Sequence, residues 1–231
     1  MTGGRARTEP RTAARILDVA ERLVQVRGFN GFSYADVATQ LGVTKASLHY
    51  HFSGKAELGQ ALIARYGARF ADRLARVNRE IPDARGRLEA YVELYADVLR
   101  GKRMCLCGIL AAEYQTLPQQ MREAVICFFD DNQRWLADVL RRGLADKTLT
   151  FERTPDDVAQ SILSGLEGAM LVARPYGDLE RFHSAASLLL ATLTNDVGSG
   201  AAINADGRAP RGRRPRRADS SSAASARRPY E

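Results

Sequence analysis

Apolar residues recur at three- and four-residue steps along most of this chain, and no sustained two-residue alternation interrupts them. That rhythm matches one face of an α-helix and does not suit half-buried strands, so the spacing predicts an all-α fold. Ile16, Leu17, Ala20, Leu23 and Val24 stripe a first helix, which the glycine of the RGF step at 27–29 stops. Ser33, with Asp36 three residues on, has the form of a capping box. Tyr34, Val37, Ala38 and Leu41 then line the inner face of a short second helix that Gly42 ends. Thr44 is placed to cap a third helix and Ser53 to cap a fourth that runs to Glu80. Pro82, Asp83 and Gly86 break the chain. Further helices are expected over residues 84–102, 105–117, 119–146, 156–174 and 178–197, with breaks at Pro118, at Thr154 and Pro155, and at Pro175 to Gly177.

Charge is unevenly spread. The chain carries a formal +7, yet residues 198–231 alone hold eight arginines against three acids, and residues 1–55 hold eight Lys/Arg against four acids. Positive charge therefore sits at the two ends and favours an anionic partner, nucleic acid or a membrane surface. Residues 198–231 contain almost no large apolar side chain, so they are expected to form a disordered basic tail. This tail either adds nonspecific DNA affinity or is a solvated extension. No stretch approaches the roughly 20 apolar residues of a membrane span, and MTGGRARTEP lacks the apolar core of a secretory signal. Three cysteines, an odd number, argue against a disulfide framework. The expectation is a cytoplasmic protein with no membrane partner.

Residues 33–52 read as helix, glycine turn, helix, and the LGVT turn at 41–44 is short enough for a helix-turn-helix. Rotated at about 100° per residue, a third helix with Leu48 inward leaves Phe52 about 40° away, on the same buried side. Ala46 and Tyr50 then point outward, Ser47 and His49 flank them, and Lys45 sits at the tip. No acidic residue lies between Thr44 and Lys55. Short polar residues at the start of such a helix suit the edges of bases in the major groove, and a tyrosine hydroxyl or imidazole suits phosphate oxygens. Lys55, opening the next helix, is expected to add charge toward a backbone phosphate. The expected DNA-binding set is Ser33, Thr44, Lys45, Ala46, Ser47, His49, Tyr50, His51 and Lys55. His49 and His51 diverge by about 200° on a helix and cannot share a metal ion, and neither has a nearby nucleophile for catalysis. No Gly-rich phosphate loop or nucleophile elbow is present, so no enzyme, metal or cofactor is expected.

The run FSYADVATQLGVTKASLHYHFSGKAEL at 32–58 resembles the DNA-binding domain of the tetracycline-repressor (TetR) family. VATQLGVT corresponds to that family's IAxxAGVS-like second helix and turn. Leu48, His51, Phe52, Lys55 and Leu58 correspond to its LYxHFxxKxxL run, with His49 standing where the family usually has tyrosine. The resemblance implies a DNA-binding transcriptional regulator, a repressor released from a palindromic operator by a small-molecule or thiol-reactive effector. The weighed alternative is a nonspecific architectural DNA-binding protein. It also implies a homodimer, with each monomer divided into four parts: a flexible arm at 1–11, a three-helix helix-turn-helix head at 12–58, a regulatory and dimerisation body at 59–197, and the tail.

Two further features belong to that body. Gly165, Gly168 and Ala169 on the helix at 156–174, with Phe182, Ala185, Ala186, Leu189, Leu190 and Leu193 on the helix at 178–197, suit a close helix–helix dimer contact. Tyr91, Tyr95, Leu110, Tyr114, Phe128, Phe129 and Trp135 are candidates for an effector pocket; an aromatic stripe of this kind also serves as plain core. Finally, RMCLCGILAAE at 103–113 resembles the start of the sixth helix in a TetR subgroup, some of whose members sense electrophiles or oxidants with a cysteine there. Cys105 takes that position, and Lys102, Arg103 and a helix N-terminus are expected to lower its pKa. The competing reading is a small buried hydrophobe.

Overall fold

A computed structural model describes residues 9–193; the residues before and after, including the expected tail and most of the expected arm, lie outside it. The described residues form nine α-helices and no strand. Helix α1 spans Glu9–Arg27, α2 Tyr34–Leu41, α3 Lys45–His51, α4 Lys55–Glu80 and α5 Ala84–Arg100. Then come α6 Leu106–Ala112, a 3-10 turn Tyr114–Thr116, α7 Gln119–Ala145, α8 Pro155–Tyr176 and α9 Leu179–Ala191. Helix α1 starts ahead of the domain start expected at residue 12.

Local chemistry explains most helix ends. Ser33 and Asp36 form the reciprocal capping box, and Gly42 closes α2 in the left-handed region at φ 67°. Thr44 caps α3 through Ser47 N. The fourth helix departs from expectation: its N-cap is Gly54, and no side chain caps it. Ser53 instead gives both its N–H and its hydroxyl to Glu57 Oε2, at 2.7 and 2.6 Å, so the carboxylate ties down the turn from inside the helix. Helix α6 is also shorter than expected. Glu113 N donates to Leu110 O, tightening the last turn to 3-10 geometry ahead of Pro118. Helix α8 runs through Pro175 and stops at Gly177, φ 60°.

Helices α1–α3 form a head around Ile16, Ala20, Leu23, Val24, Val37 and Leu48. The long α4 leaves that head and packs on α7; Gly59 makes the approach possible, since a Cβ there would stand 2.4 Å from Met121 Sδ and 2.9 Å from Phe29. Helices α5, α7, α8 and α9 complete the body, and one continuous apolar core joins head and body.

Candidate functional site

Within α3 only Leu48 is buried, fully, with Phe52 just beyond the helix end at 8 % exposure. Lys45, Ala46, His49 and Tyr50 are exposed, Tyr50 at 72 %, while Ser47 and His51 are half-buried. An apolar underside thus fixes the helix and leaves a small, polar, aromatic face outside. His49 is held in place: its Nδ1 donates to Ser53 O at 3.2 Å and its ring lies 4.7 Å from that of Tyr34. The Tyr34 hydroxyl donates to Phe52 O at 3.1 Å, and burial, with the Glu57 charge adding, pushes its pKa up to about 12. Tyr50 meets the His51 ring edge-on at 5.2 Å. Ser33 is exposed, but its hydroxyl is engaged with Asp36 Oδ2 at 2.6 Å.

Lys55, expected from the sequence to meet a phosphate, is engaged within the chain. Its Nζ donates to Phe32 O at 2.6 Å and lies 4.7 and 4.4 Å from the Phe29 and Phe32 ring centroids. Burial lowers its pKa, against opposing attraction from Glu113 and Asp36. The lysine ties the start of α4 to the loop after α1, a contact 23 residues away in sequence.

The same loop is gripped from the body. Glu113, at the end of α6, accepts from Phe29 N at 2.6 Å and from Asn30 N at 3.3 and 3.4 Å. Asn30 Nδ2 donates to Thr116 Oγ1 at 2.7 Å, and Met104 N donates to Gln25 O at 3.1 Å. Arg174 of α8 donates to Val26 O. Gly28, at φ 84°, makes this clasp possible: a Cβ there would sit 2.4 Å from Glu113 Oε1. From the sequence only Gly28 was singled out, as the stop of the first helix; its role in the clasp was not, although Glu113 closes the RMCLCGILAAE run.

Inside the body, Tyr91, Tyr95, Phe128 and Trp135 do come together. They join Phe70 and Tyr66 in one aromatic cluster, with Tyr91 stacked on Trp135 at 5.5 Å. Phe129 packs on Phe128 from the partly exposed side. The Tyr91 hydroxyl donates to Asn132 Oδ1 at 3.0 Å and lies 3.2 Å from that of Tyr95. Leu110 is buried on α6, whereas Tyr114 stands apart on the 3-10 turn, under the Arg122 guanidinium.

Of the two readings of Cys105, its surroundings match the buried residue and not the activated thiol. It is the buried N-cap of α6, and Arg103 turns away to Gln25 Oε1 at 3.2 Å. Tyr66 Oη donates to its sulfur at 3.7 Å. Burial first, and the Glu167 charge second, push the Cys105 thiol well above the ordinary range; Cys107 is raised by the same two causes. Glu167, on α8, has room because residue 108 is glycine: a Cβ there would stand 2.2 Å from its Oε2. Burial lifts the Glu167 carboxyl to about 7, against hydrogen bonds from Cys105 and Tyr95 that favour its charged form. Glu167 Oε1 and Trp135 Nε1 are both buried and without a hydrogen-bond partner, a costly condition in a native interior.

On the outer side of α8 and α9, Leu171, Val172 and Leu188 are exposed beside an apolar groove of about 580 Å³. Gly165 is already used within the chain, since a Cβ there would meet Leu189 at 2.6 Å; Gly168 faces open space.

Comparison with known proteins supplies the context. The family model described as bacterial regulatory proteins, tetR family, matches residues 16–62, and the tetracyclin repressor-like C-terminal domain matches residues 84–189. The chain is 31 % identical over 152 residues to the transcriptional regulator AcuR of Cereibacter sphaeroides, covering 64 % of this chain and 69 % of AcuR. It is 28 % identical over 178 residues to the transcriptional repressor NemR of Escherichia coli, covering 72 % and 86 %. A crystal structure of a TetR-family regulator from Agrobacterium tumefaciens superposes with a TM-score of 0.78 at 31 % identity, covering 80 % of this chain and 99 % of that one. Reduced E. coli NemR superposes at 0.71 with 26 % identity, covering 81 % and 100 %. No described helix is long and apolar enough to cross a membrane. With its helix-turn-helix head and helical body each matched in place, this chain belongs to the tetR family of bacterial regulatory proteins and is a DNA-binding transcriptional regulator.

Proposed function

We infer that this regulator is a homodimeric repressor whose two α3 helices read the half-sites of an approximate palindrome and which leaves DNA when an effector binds the body. One observation carries the reading: α3 buries Leu48 completely and turns Lys45, Ala46, His49 and Tyr50 to solvent. Lys45, Ala46 and Ser47 occupy the first turn, where a recognition helix meets base edges. Tyr50 and the held His49 ring flank it as phosphate ligands, with Thr44, His51 and Ser33 at the margins. The apolar groove and exposed leucines on α8 and α9 support pairing of two copies there, which a palindrome requires of its reader.

The effector site belongs to the interior, beside Tyr91, Tyr95 and Trp135. Its support is the pair of unpartnered buried atoms, Trp135 Nε1 and Glu167 Oε1, which a polar ligand can satisfy. A reversible ligand fits this setting better than a thiol switch, since the Cys105 thiol is held in its protonated form. Release then passes through the clasp of Glu113 on the end of α1, because a ligand that shifts α6 shifts the head with it.

The test is duplex selection from a random pool, followed by operator affinity of Lys45→Ala and Tyr50→Ala. Each substitution is expected to weaken operator binding about 10-fold, with the salt dependence of log affinity falling by about one for the lysine. Undiminished binding by both variants would remove α3 as the reading face.

A further inference from the structure

Between α1, α4 and α5, with Gln40 of α2 at its edge, lies an open groove of about 810 Å³ that no residue of α3 lines. That volume is in the range of small-molecule sites, roughly 300–1,000 Å³. Six cations line it, Arg22, Arg65, Arg69, Arg73, Arg76 and Arg103, and every one is an arginine. Its acids are Asp18, Glu21 and Asp72. Two of these are already taken. Arg65 bonds Asp18 at 2.8 Å and Glu21 at 2.9 Å, and Arg69 shares Glu21. Arg73 is paired at 2.6 Å with Asp97.

That leaves Arg22, Arg76 and Arg103 without a carboxylate partner among the described residues, and Arg65 Nε buried with no acceptor. The excess is positive and its donors are planar guanidinium forks. Such forks hold phosphate and carboxylate oxygens in pairs, where lysine ammonium groups act only as point charges. The floor differs in character: Tyr66, Phe70, Leu94 and Val98 present apolar surface to the same groove. We propose that this groove is a binding site for an organic phosphate, its anionic head on Arg22, Arg76 and Arg103 and its apolar arm on the Tyr66–Phe70 floor.

The site goes beyond operator reading and has a regulatory consequence. Arg22 stands on the head helix α1, Arg76 on α4, and Arg103 on the segment between α5 and α6. A ligand spanning them is a bridge between head and body, so its binding is linked to DNA affinity.

Calorimetric titration of the full chain with inorganic pyrophosphate, inorganic phosphate and phenyl phosphate tests the assignment. The comparison protein is the double variant Arg22→Ala, Arg76→Ala; both side chains are exposed and outside the ion pairs, so the fold is preserved. Wild type is expected to bind pyrophosphate at least 10-fold more tightly than the variant, and phenyl phosphate more tightly than inorganic phosphate. Pyrophosphate should also raise the melting temperature of wild type and leave that of the variant unchanged. Equal pyrophosphate affinity in the two proteins would place the binding elsewhere, on the basic C-terminal residues for instance, and overturn the site. Equal affinity for phenyl and inorganic phosphate would overturn the role of the floor. Operator binding by the ligand-free variant is measured in parallel, so a failure of the DNA reading is seen separately from a failure of the anion site.

Discussion

Tyr50 and Tyr91 are the same residue in opposite settings. Tyr50, on α3, is 72 % exposed, and its helix buries a single leucine. Tyr91, on α5, is fully buried, hydrogen-bonded to Asn132 and stacked on Trp135. Helix α3 gives a single leucine to the core of the head and turns Lys45, Ala46, His49 and Tyr50 toward solvent. The body does the reverse around Tyr91, packing polar groups inward; Arg65 Nε, Trp135 Nε1 and Glu167 Oε1 are left buried without a partner. On the proposed reading, the difference matches the two ligands: a highly charged polymer for an exposed polar face, a small molecule for buried groups with unused hydrogen-bonding capacity.

Four substitutions can break or sharpen this contrast. The largest effect is expected at Tyr91→Ala, which removes a ring packed against Phe70, Tyr95 and Trp135 and should cost about 3–5 kcal/mol in urea unfolding. Tyr50→Ala, measured in the same way, should fall within about 0.5 kcal/mol of wild type. Similar losses at both positions would erase the distinction.

Next comes Glu167→Gln. The Glu167 carboxyl titrates near 7 in the folded chain, above its ordinary 4.5. The folded state therefore holds this proton through the window from pH 4.5 to 7 while the unfolded state has lost it. The associated stability is fully present below pH 4.5 and is lost as pH rises through 7. Glutamine removes that loss, so the variant should be more stable than wild type by up to ~3 kcal/mol at pH 8, with the gap closing near pH 4.5. Denaturant midpoints across that range decide it; a gap that does not depend on pH would mean the carboxylate is well solvated.

A smaller effect than at Tyr91 or Glu167 is expected for Lys55→Ala. It deletes the bond to Phe32 O and two cation–π contacts, for about 1–2 kcal/mol of stability. A variant that melts like wild type and loses only DNA affinity would return Lys55 to the role of phosphate ligand expected from the sequence.

Legibility in the sequence followed the range of the interaction. The Ser33 and Thr44 caps, the Gly42 stop and the inward Leu48 were readable because each depends on residues within four positions. Ser53 was misread as a cap because Glu57, equally local, competes for its hydroxyl. The bond of Lys55 to Phe32 O was not legible because it lies across a loop whose path the sequence does not display. Cys105 shows the limit most plainly. Lys102 and Arg103 are its chain neighbours, but its pKa answers to burial and to Glu167, sixty-two positions on. The aromatic stripe was legible as a set, and its packing was not: Tyr91, Tyr95, Phe128 and Trp135 cluster, while Tyr114 stands apart on a turn where the helix had been expected to continue.

Gly28 and Glu113 carry a consequence for how such a regulator can lose its responsiveness. With no side chain tolerated at one position and a carboxylate required at the other, the first helix and the sixth behave as gears cut to mesh. A change at either tooth leaves the DNA-facing residues and the buried aromatic cluster chemically intact, yet lets one wheel turn without the other.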